Sequence, residues 1–99
     1  MTVIAFLSVA PVTKESMSSD VAAAIRALDD FDIDYELTSM GTIIETDDIQ
    51  TLMEAVTAAH RAVDGDRIST FLKVDDKRTS DEPASRKVES VERKLADVQ

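Results

Sequence analysis

YELTSMGTIIETDD, residues 35–48, holds the pattern that decides the fold. Tyr35 and Leu37 alternate with Glu36 and Thr38, the two-residue period of a strand with one covered face. Gly41 turns the chain, Thr42 to Thr46 runs back as a second strand, and Asp47 or Asp48 is placed to cap a helix. With the turn at Met40-Gly41, Ser39 falls opposite Thr42. Leu37 then meets Ile44 on the covered face, while Thr38 meets Ile43 and Glu36 meets Glu45 on the other. Two carboxylates opposed across a hairpin repel each other. They ask for a cation or a hydrogen-bond donor, or they bond to Lys73 or Arg78, or they lie at a solvated edge.

Working outward, Val3 to Val12 (VIAFLSVAPV) is apolar on both alternating faces, as in a central strand, and Pro11 ends it. Ser18 or Ser19 suits the N-cap of a helix whose stripe is Val21, Ala24, Ile25 and Leu28, running out near Phe31. The next strand spans Ile33 to Ser39. After the hairpin comes a helix with the stripe Ile49, Leu52, Met53, Val56, Ala59 and Val63, closed by Gly65. Arg67 to Asp75 is a fourth strand, with Ile68, Leu72 and Val74 on one face and Phe71 on the other. A polar linker follows over residues 77–83. The last helix, 84–98, has the stripe Val88, Val91, Leu95 and Val98, with Glu89 and Arg93 as an i,i+4 pair.

The order is strand, helix, strand twice over, joined by a hairpin. That predicts an α+β domain of the ferredoxin-like βαββαβ type, residues 1–76, within a single domain of 99 residues that carries an extra C-terminal helix. Both main helices lie on one face of an antiparallel sheet. The other face, with Ile43, Phe71 and Ile4 and Phe6 of the first strand, is left bare. An apolar β-surface of this size predicts self-association, as a symmetric dimer or a tetramer.

Composition narrows the function. Twenty Asp and Glu against eleven Lys and Arg give a net charge of −9, which argues against a nucleic-acid partner. Thirteen Asp against five Lys also suits a salt-rich, halophilic cytoplasm, since acidic surfaces stay soluble when salt screens charge. No run approaches the roughly 18–20 apolar residues of a membrane span. The N-terminus shows no leader pattern. With no Cys, thiolate chemistry and cysteine-ligated zinc are excluded. A cytoplasmic protein is expected, with no metal and no cofactor.

The hairpin resembles that of the small thiamine-binding-protein family, whose members carry a Tyr-Glu-Leu-Thr-x-Met-Gly-Thr-x-Ile-Glu-Gly-Asp run. The similarity extends to the strand ending in Pro11, the Ser-rich entry at Ser16 to Ser19, the Ala59-His60 pair, the strand end Lys73-Val-Asp-Asp-Lys-Arg78, and the Val88-x-x-Val91 helix. The chain departs where the family often has Pro-x-Gly-Thr, reading Pro11-Val12-Thr13-Lys14 instead, and it has Glu45-Thr-Asp for Glu-Gly-Asp. The resemblance implies a dimer of dimers. It also implies binding, without catalysis, of thiamine or its hydroxymethylpyrimidine part.

The residues suit that chemistry. Thiamine is a cation with a flat aminopyrimidine. Glu45, beside Glu36, can accept from the amine and offset the positive charge, and the Thr38 and Thr42 hydroxyls can bond ring nitrogens. Met40 with Phe6 or Phe71 offers a flat apolar contact, and Gly41 lets backbone approach. Each has a plainer role as turn, β-former or core filler. Against an enzyme, the chain lacks the Asn and the Arg-bearing loop of an acylphosphatase, and Lys14 is the only cation in that loop. The lone His60 falls near an apolar stripe, as a packed or rim residue. Asp75-Asp76 is a weak metal pair, because adjacent strand residues point apart. The alternative is a regulatory ferredoxin-like sensor of another metabolite such as an amino acid.

Overall fold

The computed structural model describes residues 1–12 and 17–97. The expected contributions of Lys14, Ser16 and Val98 lie outside the described residues. The elements are β1 (Thr2–Pro11), α1 (Ser18–Leu28), β2 (Asp34–Leu37), β3 (Thr42–Thr46), α2 (Ile49–Ala62), β4 (Ile68–Lys77) and α3 (Ser85–Asp97). The four strands form one sheet in the order β2-β3-β1-β4, with every neighbouring pair antiparallel. This is the ferredoxin-like α+β arrangement.

The core lies between the sheet and two helices. Val3, Ala5, Leu7 and Val9 of β1 and Ile44 of β3 meet Ala24 and Leu28 of α1 and Leu52, Ala55, Val56 and Ala59 of α2. Leu28, Ile44 and Leu52 are fully buried, and burying each such side chain contributes about 1.5–3 kcal/mol. On α2 the stripe turns out shifted toward Ala55, leaving Ile49 and Met53 exposed. Asp48 is the N-cap of α2, its carboxylate accepting from the Gln50 and Thr51 backbone N–H groups. A bond from the Thr51 hydroxyl, helped by those two, holds its pKa below the ordinary carboxylate value. For α1 the expectation of a Ser18 or Ser19 cap is corrected. Ser18 is already helical, and Met17 occupies the cap position without a side-chain bond.

The hairpin register is also corrected. Leu37 pairs with Thr42, Tyr35 with Ile44, Glu36 with Ile43 and Asp34 with Glu45. Glu36 therefore does not face Glu45. The turn sits one residue earlier than expected, at Ser39-Met40, so every pair moves by two and the faces are kept. The physical cause is Thr38. Its hydroxyl accepts from the Met40 and Gly41 backbone N–H groups, each at 3.2 Å, and donates to the Gly41 carbonyl at 2.8 Å. The Thr38 backbone N–H also donates to that carbonyl. A turn held by a side chain needs no positive φ at Met40, and no described non-glycine residue has one.

Gly41 is required for a different reason than turning the chain. A Cβ there would lie 2.5 Å from Cζ of Phe6 and 2.8 Å from the Leu7 carbonyl oxygen. The hairpin packs its backbone directly onto β1.

On the bare face of the sheet stand Ile4 and Phe6 of β1, Ile43 of β3 and Phe71 of β4, as their pairings require. Phe6 and Phe71 meet edge to face at 6.2 Å. Strand β4 runs two residues past the expected end, to Lys77. Helix α3 is anchored near its start. The Ala84 N–H donates to Glu45 at 3.1 Å, Lys87 pairs with Asp75, and the N-terminal ammonium pairs with Asp81 in the linker. Beyond those points no Cα of α3 comes within 8 Å of another described element. The molecule is accordingly elongated, 49 × 32 × 18 Å, with a radius of gyration of 15.3 Å against the roughly 13 Å of a compact domain this size.

Candidate ligand-binding site

The candidate residues divide between two faces. Thr38, Met40, Gly41 and Thr42 line a pocket of about 220 Å³ where the hairpin tip meets the far end of β1 and the entry to α1. Its other walls are Leu7, Ser8 and Val9 of β1, Met17, and Val21, Ala24, Ile25 and Leu28 of α1. Local sequence dictates each wall. Thr38 freezes the tip, Gly41 allows it to lie on β1, and the α1 stripe supplies an apolar side. Thr42 is 4% exposed. Ser8 pairs with Phe71 and so turns its side chain to the bare face, while Ser39 and Thr42 make no side-chain hydrogen bond among the described residues. Their hydroxyls are available to a ligand, whereas that of Thr38 is spent on the turn.

This pocket opens on a wider groove, about 700 Å³, between α1 and the edge strand β2. The two share Met17, Val21, Ile25, Leu37 and Thr38. In the groove the Tyr35 hydroxyl donates to Asp29 at 2.6 Å, and that bond with the adjacent carboxylate raises the pKa of Tyr35. The pair places a negative charge beside an aromatic ring in the groove that adjoins the pocket.

Glu36 and Glu45 are elsewhere. With Asp34, Ile4 and Ile43 they line a separate groove of about 720 Å³ beneath α3, walled by Val88, Glu89 and Glu92. Glu45 is already engaged by the Ala84 N–H. Phe6 and Phe71 stand on the same bare face, and Phe6 touches the hairpin pocket only from behind, through the Gly41 backbone. The hairpin thus serves two sides of the sheet, which its residue pattern had suggested were one.

Three contributors were missed in the sequence: Met17 in the pocket, and Asp29 and Tyr35 in the groove beside it. Met17 and Asp29 depend on how α1 lies across the sheet, which no local pattern reports.

His60 is exposed on α2, with Nδ1 2.6 Å from the Thr70 hydroxyl. Asp75 and Asp76 point to opposite faces, opposite Ile4 and Val3. Lys87 holds the Asp75 pKa below the ordinary value. Among the described residues no three His, Asp or Glu side chains gather where they could hold a metal ion. No described helix is long and apolar enough to cross a membrane.

A profile of the thiamine-binding protein family matches residues 5–92. A UPF0045 protein of Methanothermobacter thermautotrophicus is 49% identical over 83 residues, which span 81% of this chain and 84% of that one. The crystal structure of a hypothetical protein from Methanocaldococcus jannaschii superposes with a TM-score of 0.83 at 31% identity, covering 91% of this chain and 95% of that one. A Thermotoga maritima protein provisionally assigned to thiamine biosynthesis or salvage shares the fold, with a TM-score of 0.75 at 20% identity and coverage of 92% and 99%.

Proposed function

The chain belongs to the thiamine-binding protein family, and from that footing we propose that it binds thiamine or its hydroxymethylpyrimidine part, without catalysis, at the hairpin pocket. The family membership supports a small-molecule-binding role. The observation that carries the finer reading is the convergence of Thr38, Met40, Gly41 and Thr42 on one pocket.

Size and chemistry agree with a single ring in that pocket. At about 220 Å³ it is smaller than the roughly 300–1,000 Å³ of sites for drug-sized ligands. An aminopyrimidine presents a donor amine and acceptor nitrogens, which the Ser39 and Thr42 hydroxyls can satisfy. Its flat faces pack against Met17 and Met40, whose thioethers adapt to aromatic rings. The pocket has no carboxylate among its described walls, so it suits the neutral ring. The adjoining groove suits the cation, because Asp29 can offset the thiazolium charge and the Tyr35 ring attracts it. Glu36, Glu45, Phe6 and Phe71 then serve the bare face, where burial of Ile43 and Phe71 by a second copy gives a dimer or a dimer of dimers.

Thermal melts in low and high salt with thiamine, hydroxymethylpyrimidine, an amino-acid panel and ATP test this reading. A ligand at 100 times its dissociation constant adds about 2.7 kcal/mol. We expect both pyrimidine compounds to raise the melting temperature, and Thr42→Val to abolish both shifts. Asp29→Asn weakens thiamine while sparing hydroxymethylpyrimidine. Loss of the thiamine shift in Glu45→Gln alone moves the site to the groove under α3. A shift with an amino acid alone favours the sensor reading, and none at all leaves an oligomer without a ligand.

A further inference from the structure

Helix α3 lacks a partner within its own chain. Val88, Val91 and Leu95 are 58%, 59% and 63% exposed. Val88, Glu89 and Glu92 overhang the groove of Ile4 and Ile43, but no Cα of the helix comes within 8 Å of another described element, and Val91 and Leu95 line no part of that groove. Isolated helices of about 12–15 residues are marginal in water. A 13-residue helix with an apolar stripe needs cover, and the chain's own sheet does not supply it along that stripe.

The sheet's bare face has the matching deficit. Its centre is Phe6, Ile43 and Phe71, with Phe71 59% exposed. Its margins carry opposite charges. Asp34 and Glu36 stand on β2 at one edge, and Lys73 and Lys77 stand on β4 at the other, with Asp75 between them already paired to Lys87 of its own chain. The α3 stripe is flanked in the same way. At 100° per residue Lys94 falls on one side of Val91 and Leu95, and Glu92 on the other. A four-strand sheet is about 14 Å across between its outer strands, wide enough to seat one helix about 10 Å in diameter.

We propose that α3 bridges subunits: the Val91–Leu95 stripe of one copy covers the Phe6–Phe71 centre of a second copy's sheet, with Lys94 toward the acidic β2 margin and Glu92 toward the lysines of β4. The charge match runs on both sides of the stripe and so fixes the helix direction as well as the contact. Both halves of the surface lie on one chain. A two-fold axis therefore makes the exchange reciprocal, which is the commonest symmetry of homo-oligomers. The proposal deepens the self-association reading above and rests on it.

Sedimentation equilibrium and disulfide trapping test it. The chain has no Cys, so introduced thiols report without background. Intrachain closure between positions 71 and 95 is barred, because their Cα atoms are more than 8 Å apart and a disulfide needs less than about 7 Å. A mixture of Phe71→Cys and Leu95→Cys proteins is expected to give a mixed covalent dimer on oxidation, more than either protein alone. Leu95→Asp is expected to weaken association at least roughly thirtyfold. Lys94→Glu weakens it and Lys94→Glu with Glu36→Lys restores it, with circular dichroism checking that each variant is folded. An oligomer that persists in Leu95→Asp and forms no mixed disulfide overturns the α3 contact while leaving self-association standing. A parent protein that stays monomeric at all concentrations overturns both.

Discussion

Gly41 shows how one position can be read correctly for an incorrect reason. Its place in the hairpin was evident, but its role is steric. A methyl group there would meet the Leu7 carbonyl oxygen at 2.8 Å, and backbone cannot swing aside as a side chain can. Gly41→Ala should therefore cost about 1–3 kcal/mol by overpacking. For a domain of this size that lowers the melting temperature by about 5 °C or more, measured by circular dichroism. A variant that melts as the parent does would show that hairpin and β1 are not in contact. Thr38 was legible as a polar residue at a turn and was assigned to a ligand. Its three hydrogen bonds to Met40 and Gly41 commit it to the loop.

Helix starts separate local from tertiary causes. The cap of α2 is local, and the sequence narrowed it to Asp47 or Asp48; the structure selects Asp48, whose carboxylate stands two and three residues before the free N–H groups it accepts from. The entry to α1, with two serines available, begins on Met17 instead. Asp48 titrates below its ordinary value of 3.8. A depressed carboxylate stabilises the fold fully above its unfolded pKa, and the contribution fades as pH falls through the folded value. Asp48→Ala should thus melt lower than the parent at pH 7, and the gap should close in acid below that value. Paired melting curves from pH 7 to pH 2 measure this; a gap that stays constant would mean that the carboxylate charge is not what caps α2. The order of elements was legible throughout because each strand and helix carries its own period. The register of β2 on β3 was not, since a shift of two residues leaves every face unchanged.

At the scale of the whole molecule, charge and shape dominate. A net charge of −9 on 99 residues makes the compact state repel itself. That repulsion is screened over about 10 Å at 0.1 M salt and about 3 Å at 1 M. Raising monovalent salt from 0.05 M to 1 M should raise the melting temperature, and should also favour association of copies that each carry this charge. A melting temperature that falls with salt would mean that the few ion pairs, such as Lys87 with Asp75, outweigh the general repulsion. The elongated outline is the other global feature. It comes from α3, whose stripe was plain in the residues but whose distance from the sheet was not.

By itself the sequence determined the element order, the helix-covered and bare faces of the sheet, an acidic cap for α2 at Asp47 or Asp48, and the family, because periodicity and short motifs are properties of neighbouring residues. Only the tertiary structure decided that the hairpin's hydroxyls and its carboxylates serve opposite sides of the sheet, and that Met17 joins the pocket while Asp29 and Tyr35 line the groove beside it. Those facts follow from where a turn falls by one residue and how α1 crosses the sheet. Packing sets both, and no window of sequence contains it.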